Sequence, residues 1–217
     1  MRPQDHFRVL FVCTANQCRS PIAERLFQAA AASRGAAVDV SSAGLGRPGV
    51  AAHHGAVRAM ARLGLDLTAH RSRRLSGELL RAADLVVVME RRHLLAVVDQ
   101  EPSAWPRSHP LKDLVHRARR LGPRRAEQDL QSWIEALHRG RASAHVLRLP
   151  LEVDVTDPTG GPRHGYDVTV AELAGLVTEL AELAFPACAR VPAAPAAPPD
   201  SRPAARMRRV WSRMISL

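Results

Sequence analysis

The hydrophobic positions near the start of the chain predict a strand, a loop and a helix, in that order. Phe7–Val12 is a short run rich in apolar residues, two of them β-branched, which is typical of a buried strand. Further along, apolar residues recur at helical spacing, at Ile22, Leu26, Phe27 and Ala30. Ser20 is a favourable helix cap and Pro21 a favourable first helical residue. We therefore expect a strand-to-helix loop over residues 13–20.

Apolar strands alternate with helical patterns along much of the remaining chain. The uninterrupted apolar segment Leu85–Val88 predicts a strand that is covered on both of its faces. Hydrophobic residues make up 46% of the 217 residues, which is enough for a substantial core. The predicted fold class is α/β, a doubly wound parallel sheet with helices on both faces. Such sheets bind ligands at the carboxyl ends of their strands.

The first strand-to-helix loop contains residues that suit a tetrahedral anion. Cys13 ends the predicted strand, and Arg19 follows six positions later. A loop that closes on a helix N-terminus points backbone N–H groups inward, and the helix dipole adds partial positive charge. The same field favours a thiolate at Cys13, and the thiolate is the nucleophilic form of cysteine. Arg19 offers a planar fork of donors to two phosphate oxygens at once. The alternative for such a Cys-x5-Arg pair is chance spacing around a buried cysteine that only packs.

The segment Cys13–Pro21 resembles the signature loop of the low-molecular-weight protein tyrosine phosphatases and of their relatives, the thioredoxin-coupled arsenate reductases. Its sequence is Cys-Thr-Ala-Asn-Gln-Cys-Arg-Ser-Pro. Further segments follow in the family's order: Ala23-Glu24, Ser41–Gly44, Gly64–Leu75, Ala83–Met89, and Asp157-Pro158 followed by Gly160. The resemblance covers about the first 185 residues, with a long insertion. It implies a flavodoxin-like fold and phosphate ester hydrolysis through a phosphocysteine intermediate.

The resemblance also implies roles for individual loop residues. Thr14, Ala15, Gln17 and Cys18 match the phosphate-binding loop positions between the nucleophile and the arginine. Other residues match the family's hydrogen-bond network that holds the loop in shape: Asn16, Ser20, Ser42 and His70. The Ser20 hydroxyl additionally stabilises the departing thiolate in the family. Each of these residues also has an ordinary structural interpretation, such as a surface position for His70 or a strand end for Ser42.

Asp157 is the candidate general acid. Ester cleavage needs a proton for the departing oxygen and later a base for the water that releases the phosphocysteine, and one carboxyl group can serve both steps. The resemblance places the family's acid at this position. The alternative is an ordinary Asp-Pro turn, and Asp154 is a second candidate acid nearby.

The cysteines bear on the choice between related activities. Thioredoxin-coupled arsenate reduction requires two further cysteines after the third strand in the family, and the segment from Glu90 to Glu101 contains none. Arsenate reduction with a small thiol stays an alternative, as does a weakly catalytic phosphoprotein-binding module. Cys18 could form a protective disulfide with Cys13 or simply pack. Three cysteines and no apolar run near 18 residues predict a reduced, cytoplasmic protein.

The net charge of +10 is concentrated in two regions outside the expected catalytic body. An expected insertion over about residues 107–141 carries nine Lys or Arg against four Asp or Glu, hence +5, and has a helical pattern around Trp133. The tail over residues 186–217 carries six Arg against one Asp, again +5. It begins with a Pro/Ala-rich stretch that we expect to be disordered. Its end has a basic amphipathic pattern, typical of helices that bind anionic membranes or protein partners. A solvated, unstructured tail is the alternative, and nucleic acid is not an expected partner.

The expected site requires no metal or cofactor, and the histidines at His53-His54, His109 and His116 have no carboxylate or cysteine at ligand spacing. In the resembling family, aromatic side chains after the Ser-Ala-Gly segment and after Asp-Pro enclose the phosphotyrosine ring. This chain has Leu45–Val50 and Thr159 at those places, and Ala15 where glycine is common. Tyr166 and His164 could refill part of this wall, and the physiological substrate stays open.

Overall fold

The computed structural model describes residues 7–142, 149–162 and 164–186. Four parallel strands form its sheet: β1 (Phe7–Cys13), β2 (Val38–Gly44), β3 (Leu85–Val88) and β4 (Ser108–Pro110). Their spatial order is β2-β1-β3-β4, with Phe7 beside Val38 and Val9 beside Leu85. The chain crosses from β1 outward to β2 and then to the other side at β3. This reversal defines the crevice at the carboxyl end of β1 where doubly wound sheets bind ligands.

Helices connect the strands and cover both faces of the sheet. They are α1 (Arg19–Ser33), α2 (His54–Ala61), α3 (Gly77–Ala82), α4 (Arg91–Gln100), α5 (Leu111–Leu121), α6 (Leu130–His138) and α7 (His164–Ala184). Short 3₁₀ helices occupy Pro102–Arg107 and Leu151–Val153. The predicted α/β class, the parallel sheet and the two helical layers are therefore confirmed.

The side chains of β1 alternate between the two halves of the core. Leu10 and Val12 join a buried cluster with Leu80 of α3 and Leu94 of α4 on one face. Phe11 points to the other face, where its ring meets Phe27 of α1 edge to face with centroids 5.7 Å apart. Because the strand is buried on both faces, its apolar residues are nearly continuous, as they are in β3.

Helix α1 begins two residues earlier than the predicted Pro21, so the prediction that Ser20 caps this helix was wrong. The helix starts at Arg19, and Cys18 occupies the cap position without a side-chain cap hydrogen bond. The physical reason is that the Ser20 hydroxyl has other partners, Cys13 and Asn16. It faces the loop from within the first turn.

The helical pattern predicted around Trp133 forms α6. Its apolar residues Trp133, Ile134 and Leu137 are buried, and the helix packs on α5 and on the 3₁₀ helix Pro102–Arg107. The predicted tail lies outside the described residues, apart from Pro186, and so does Cys188. Helices long and apolar enough to cross a bilayer do not occur in the part of the chain that the structure describes.

Candidate active site

The loop between β1 and α1 is organised around Asn16. This residue is fully buried and has φ 52°, in the left-handed region that asparagine tolerates better than most residues. Its carbonyl oxygen accepts a hydrogen bond from His70 Nε2 at 2.7 Å, and its Oδ1 accepts one from the Arg73 backbone N–H at 2.7 Å. The segment containing His70 and Arg73 therefore holds the loop from outside.

The amide of Asn16 connects the loop to α1 and β2. Its Nδ2 donates to Ser20 Oγ at 2.9 Å and to Ser42 Oγ at 2.8 Å. Ser42 Oγ in turn donates to the carboxylate of Glu24. The structure thus brings the four residues that the resemblance assigned to loop support into one hydrogen-bond network, and it adds Glu24 to them.

Cys13 lies at the floor of the loop and is 3% exposed. Its Sγ is 3.0 Å from Ser20 Oγ. Because Asn16 already donates to that oxygen, the Ser20 hydroxyl hydrogen is available for the sulfur or for the Ala43 carbonyl oxygen at 3.3 Å. The Ser20 hydroxyl, in the first turn of α1, is therefore placed to donate a hydrogen bond to the Cys13 sulfur.

Arg19 is 1% exposed, and its guanidinium bridges two carboxylates. Nη1 donates to Glu90 Oε1 and to the Val155 carbonyl oxygen, the latter at 2.9 Å. Nη2 donates to Asp157 Oδ2 at 2.5 Å. Burial raises the pKa of Glu90, but hydrogen bonds from Arg92 and Arg19 outweigh burial and leave this pKa below its usual value. Glu90 is therefore a fixed negative partner that orients the arginine.

Of the two candidate acids, the structure places Asp157 at the pocket. Its side chain is 37% exposed, and its Oδ1 accepts a hydrogen bond from the Thr159 backbone N–H at 3.0 Å. Asp154 instead binds the backbone and side chain of Arg91, at 2.8 Å and 3.3 Å. Asp154 is thereby committed to the start of α4, away from the pocket lining.

A small cavity of about 50 Å³ lies above Cys13. Its lining residues are Cys13, Ala15, Gln17, Cys18, Arg19, His53, Asp157 and Thr159. Three of the four predicted loop contacts are thus at the cavity. Thr14 is not among its lining residues, because its hydroxyl contacts His93 Nε2 at 2.9 Å and Arg92 Nη2 at 3.1 Å.

Cys18 lines the cavity as a protonated thiol. Burial is the main cause that raises its pKa to about 12. Cys13 and Cys18 are both free. A disulfide between them stays a prediction, and the protonated state of Cys18 makes it a slow partner, because the thiolate is the reactive form.

Neither Tyr166 nor His164 is among the residues that line the cavity. Tyr166 is only 5% exposed and lies behind His53 rather than at the cavity, and His164 is not among the lining residues. The polar tip of Tyr166 faces His53 Nε2 at 3.4 Å while its ring packs against α2. The ring that does line the cavity belongs to His53, which is half-buried.

Sequence reasoning missed three residues at this site: His53, Glu90 and His93. The position of Glu90, two residues after a buried strand and at the carboxyl edge of the sheet, was a usable signal. The sequence offered no comparable sign for His93, which is fully buried beneath Thr14. His53 was considered only as a metal ligand; among the described residues no group of three His, Cys, Asp or Glu side chains is arranged to hold a metal ion.

A thiol and a guanidinium at the carboxyl edge of a parallel sheet, with a carboxylate beside them, define a class of cysteine-dependent phosphate-handling proteins. The sequence pattern described as "Low molecular weight phosphotyrosine protein phosphatase" matches residues 8–122, more than half of the chain. The chain belongs to the low molecular weight phosphotyrosine protein phosphatase family.

Named relatives differ in their substrates. The chain is 43% identical over 82 residues to the probable low molecular weight protein-tyrosine-phosphatase EpsP of Ralstonia solanacearum, covering 37% of this chain and 54% of that one. It is 41% identical over 108 residues to a protein-arginine-phosphatase of Bacillus subtilis, covering 49% of this chain and 71% of that one. The chain thus spans only about half the length of the Ralstonia relative.

A solved structure extends the similarity over most of the described fold. The low molecular weight protein tyrosine phosphatase from T. tengcongensis superposes with a TM-score of 0.61 at 32% identity. This match covers 81% of this chain and 98% of that one. It therefore reaches well beyond residue 122, where the match to the family pattern ends.

Proposed function

We propose that this protein is a phosphatase that hydrolyses phosphotyrosine or related aryl phosphate monoesters through a phosphocysteine intermediate. The observation that carries the proposal is the placement of Cys13, Arg19 and Asp157 around one cavity, with the Cys13 sulfur 3.0 Å from the Ser20 hydroxyl. A nucleophile, an anion-binding guanidinium and an exposed carboxyl group are the parts that this reaction needs.

In the first step, the Cys13 thiolate attacks phosphorus and the bond to the aryl oxygen breaks. Arg19 and the backbone N–H groups of the loop bind the three equatorial oxygens, where charge accumulates. As the phosphoryl group takes up the guanidinium, Asp157 is released from Arg19, accepts a proton from solvent or from the substrate monoanion, and delivers it to the departing oxygen. Glu90 keeps Arg19 in place throughout, because it pairs with the other guanidinium nitrogen.

In the second step, water attacks phosphorus and the bond to sulfur breaks. Asp157, now ionised, accepts a proton from the water. The sulfur leaves as a thiolate, and the Ser20 hydroxyl stabilises it through the contact that the structure shows. Inorganic phosphate is the product, and Cys13 is restored.

The decisive experiment measures hydrolysis of p-nitrophenyl phosphate under reducing conditions by the full chain, Cys13→Ser, Asp157→Ala and Asp154→Ala. Cys13→Ser should abolish turnover. Asp157→Ala should lower kcat by about 10²- to 10³-fold, the usual contribution of a general acid. Asp154→Ala is the matched control, because this carboxylate lies nearby in sequence but binds Arg91, and its kcat should stay within about threefold. Equal losses in the two aspartate variants would reject Asp157 as the acid.

Phosphoarginine is a second candidate substrate, because the Bacillus relative with 41% identity is a protein-arginine-phosphatase and because Thr159 leaves one side of the cavity without a ring. The same residues would act, with Asp157 protonating the departing nitrogen. Comparing kcat/KM for matched phosphotyrosine and phosphoarginine peptides assigns the preference. If neither peptide nor aryl phosphate turns over, arsenate reduction with a small thiol and phosphopeptide binding without turnover are the next assays.

We also propose that residues 1–185 form the catalytic domain and that it acts in the cytoplasm. Support comes from a compact unit that ends at Pro186 and from two free cysteines at the site. The predicted insertion covered residues 107–141, but the match to the family pattern extends to residue 122 and so includes α5. We therefore favour a shorter insertion that begins after residue 122 and contains α6.

A further inference from the structure

We propose that the imidazole of His53, held flat against Tyr166, is the surface on which the planar part of the substrate rests, so that His53 is a specificity-determining residue. The inference rests on the proposed function and names the class of leaving group that the site selects. Of the residues lining the cavity, His53 alone carries a ring. Thr159, on the segment that follows Asp157, has a short hydroxyl-bearing side chain instead.

The imidazole of His53 is fixed from several directions. Its backbone N–H donates to the Gln17 carbonyl oxygen in the phosphate loop at 2.7 Å, and its Nδ1 accepts from the Gly55 backbone N–H at 3.2 Å, capping α2. Its ring stacks on Tyr166 with centroids 5.0 Å apart and planes 9° apart, and the tilted ring of His54 lies beside it with centroids 4.3 Å apart. The position of the ring relative to Cys13 is therefore set by the loop, by α2 and by α7 together.

The approach of Tyr166 depends on a glycine at the start of α2. A Cβ atom at position 55 would lie 2.6 to 2.7 Å from three carbons of the Tyr166 ring. Any larger residue at Gly55 would push this ring away from His53. Tyr166 is 5% exposed, so it supports the imidazole from behind and does not itself meet the substrate.

The imidazole is a neutral platform near pH 7. Partial burial, followed by the neighbouring His54 and Arg58, lowers the pKa of His53 below its usual value. With Nδ1 committed as an acceptor, the neutral ring carries its proton on Nε2, which faces the Tyr166 hydroxyl at 3.4 Å. A neutral flat ring gains most from a second flat group, whereas an alkyl phosphate offers nothing to stack. Aryl phosphates are therefore the favoured class.

Two variants of His53 separate the ring from the cap. His53→Asn removes the ring but keeps a good N-cap for α2. His53→Phe keeps a ring but removes the cap acceptor. Binding of phenylphosphonate and methylphosphonate to each protein, measured by calorimetry, reports on stacking without requiring turnover. Hydrolysis of p-nitrophenyl phosphate, and its inhibition by inorganic phosphate, are measured for the same proteins.

We expect wild type to bind phenylphosphonate about tenfold more tightly than methylphosphonate, from the energy of one aromatic pair. His53→Asn should remove most of that preference and raise KM for p-nitrophenyl phosphate by about 5- to 10-fold, while kcat and inhibition by inorganic phosphate change by less than about twofold. His53→Phe should restore the preference.

Three outcomes would overturn the inference. In the first, wild type binds the two phosphonates equally. In the second, His53→Asn keeps the full preference. In the third, His53→Asn weakens inorganic phosphate as much as phenylphosphonate, which would mean that His53 acts only through the loop at Gln17. A wild-type protein that shows the His53-dependent preference but hydrolyses nothing would leave the inference standing and reject the proposed phosphatase.

Discussion

The inner and outer halves of the cavity are built in different ways. The inner half, from Cys13 to Ser20, comes from one continuous segment. Its key side chains are buried and joined by several hydrogen bonds. The outer half is formed by His53, Asp157 and Thr159, which come from distant segments and are at least partly exposed. Anion binding therefore depends on side chains from one continuous segment, which contacts from Ser42, His70 and Arg73 hold in shape. Selection of the leaving group depends on side chains brought together from separate segments.

Substitution of Gly44, at the end of β2, should disrupt the geometry of the inner half most strongly. A Cβ atom there would lie 2.6 Å from the Asn16 backbone nitrogen and 2.9 Å from the Thr14 carbonyl oxygen, so the loop must shift. We expect Gly44→Ala to lower kcat/KM by at least about 100-fold, because displacements near 1 Å have that effect on catalysis. The free energy of unfolding should fall by about 1 to 3 kcal/mol, as for other overpacked sites. Steady-state kinetics and urea unfolding measure both changes.

Gly46→Ala is the matched control for that substitution. Its Cβ would meet Ala15 Cα at 3.4 Å, an ordinary contact. Activity and stability should stay close to wild type. Similar losses in both alanine variants would show that the loop is sensitive to the whole segment rather than to the close approach at Gly44.

Lowering the pH should reduce the free energy of unfolding by protonating His93, which lies against the inner half. This imidazole is fully buried against Thr14, and burial lowers its pKa from 6.5 to about 4. The unfolded chain therefore binds a proton at a higher pH than the folded protein does, so stability is lost as pH falls from 6.5 toward 4. The loss attributable to His93 is on the order of 3 kcal/mol.

Urea unfolding of wild type and His93→Gln across this pH range measures that contribution. The glutamine variant should show a flatter dependence, because its side chain does not titrate. His116→Gln, at an exposed position on α5, should keep the wild-type slope. Identical slopes for wild type and His93→Gln would place the acid sensitivity elsewhere in the molecule.

The smallest effect is expected in the outer half, where Thr159 is exposed. Thr159→Tyr adds a second ring to the cavity lining and should lower KM for p-nitrophenyl phosphate by about three- to fivefold, the range for one weak aromatic contact. Stability should change by less than about 0.5 kcal/mol, as for most surface substitutions. A large fall in kcat would instead show that the substitution disturbs the Asp157 turn, whose Oδ1 binds the Thr159 N–H.

The same contrast explains what the sequence could predict. Strand β1, helix α1 and the anion loop between them follow from a local pattern, so Cys13 and Arg19 were identifiable together. Glu90 contacts Arg19 only because β3 lies beside β1 in the sheet. His53 reaches the cavity because α2 packs against α7 at Gly55 and Tyr166. The start of α1 was misplaced because the Ser20 hydroxyl faces Cys13, a partner that is visible only in three dimensions.

In the proposed mechanism, Cys13 carries the phosphoryl group during turnover. Acid quenching of Asp157→Ala during reaction with p-nitrophenyl phosphate, followed by peptide mass spectrometry, tests it most directly, because loss of the base slows hydrolysis of the intermediate. We predict one phosphoryl group on the peptide that contains Cys13, and none when Cys13→Ala is combined with Asp157→Ala. A phosphoryl group on a different residue, or release of p-nitrophenol that survives in the double variant, would contradict the account.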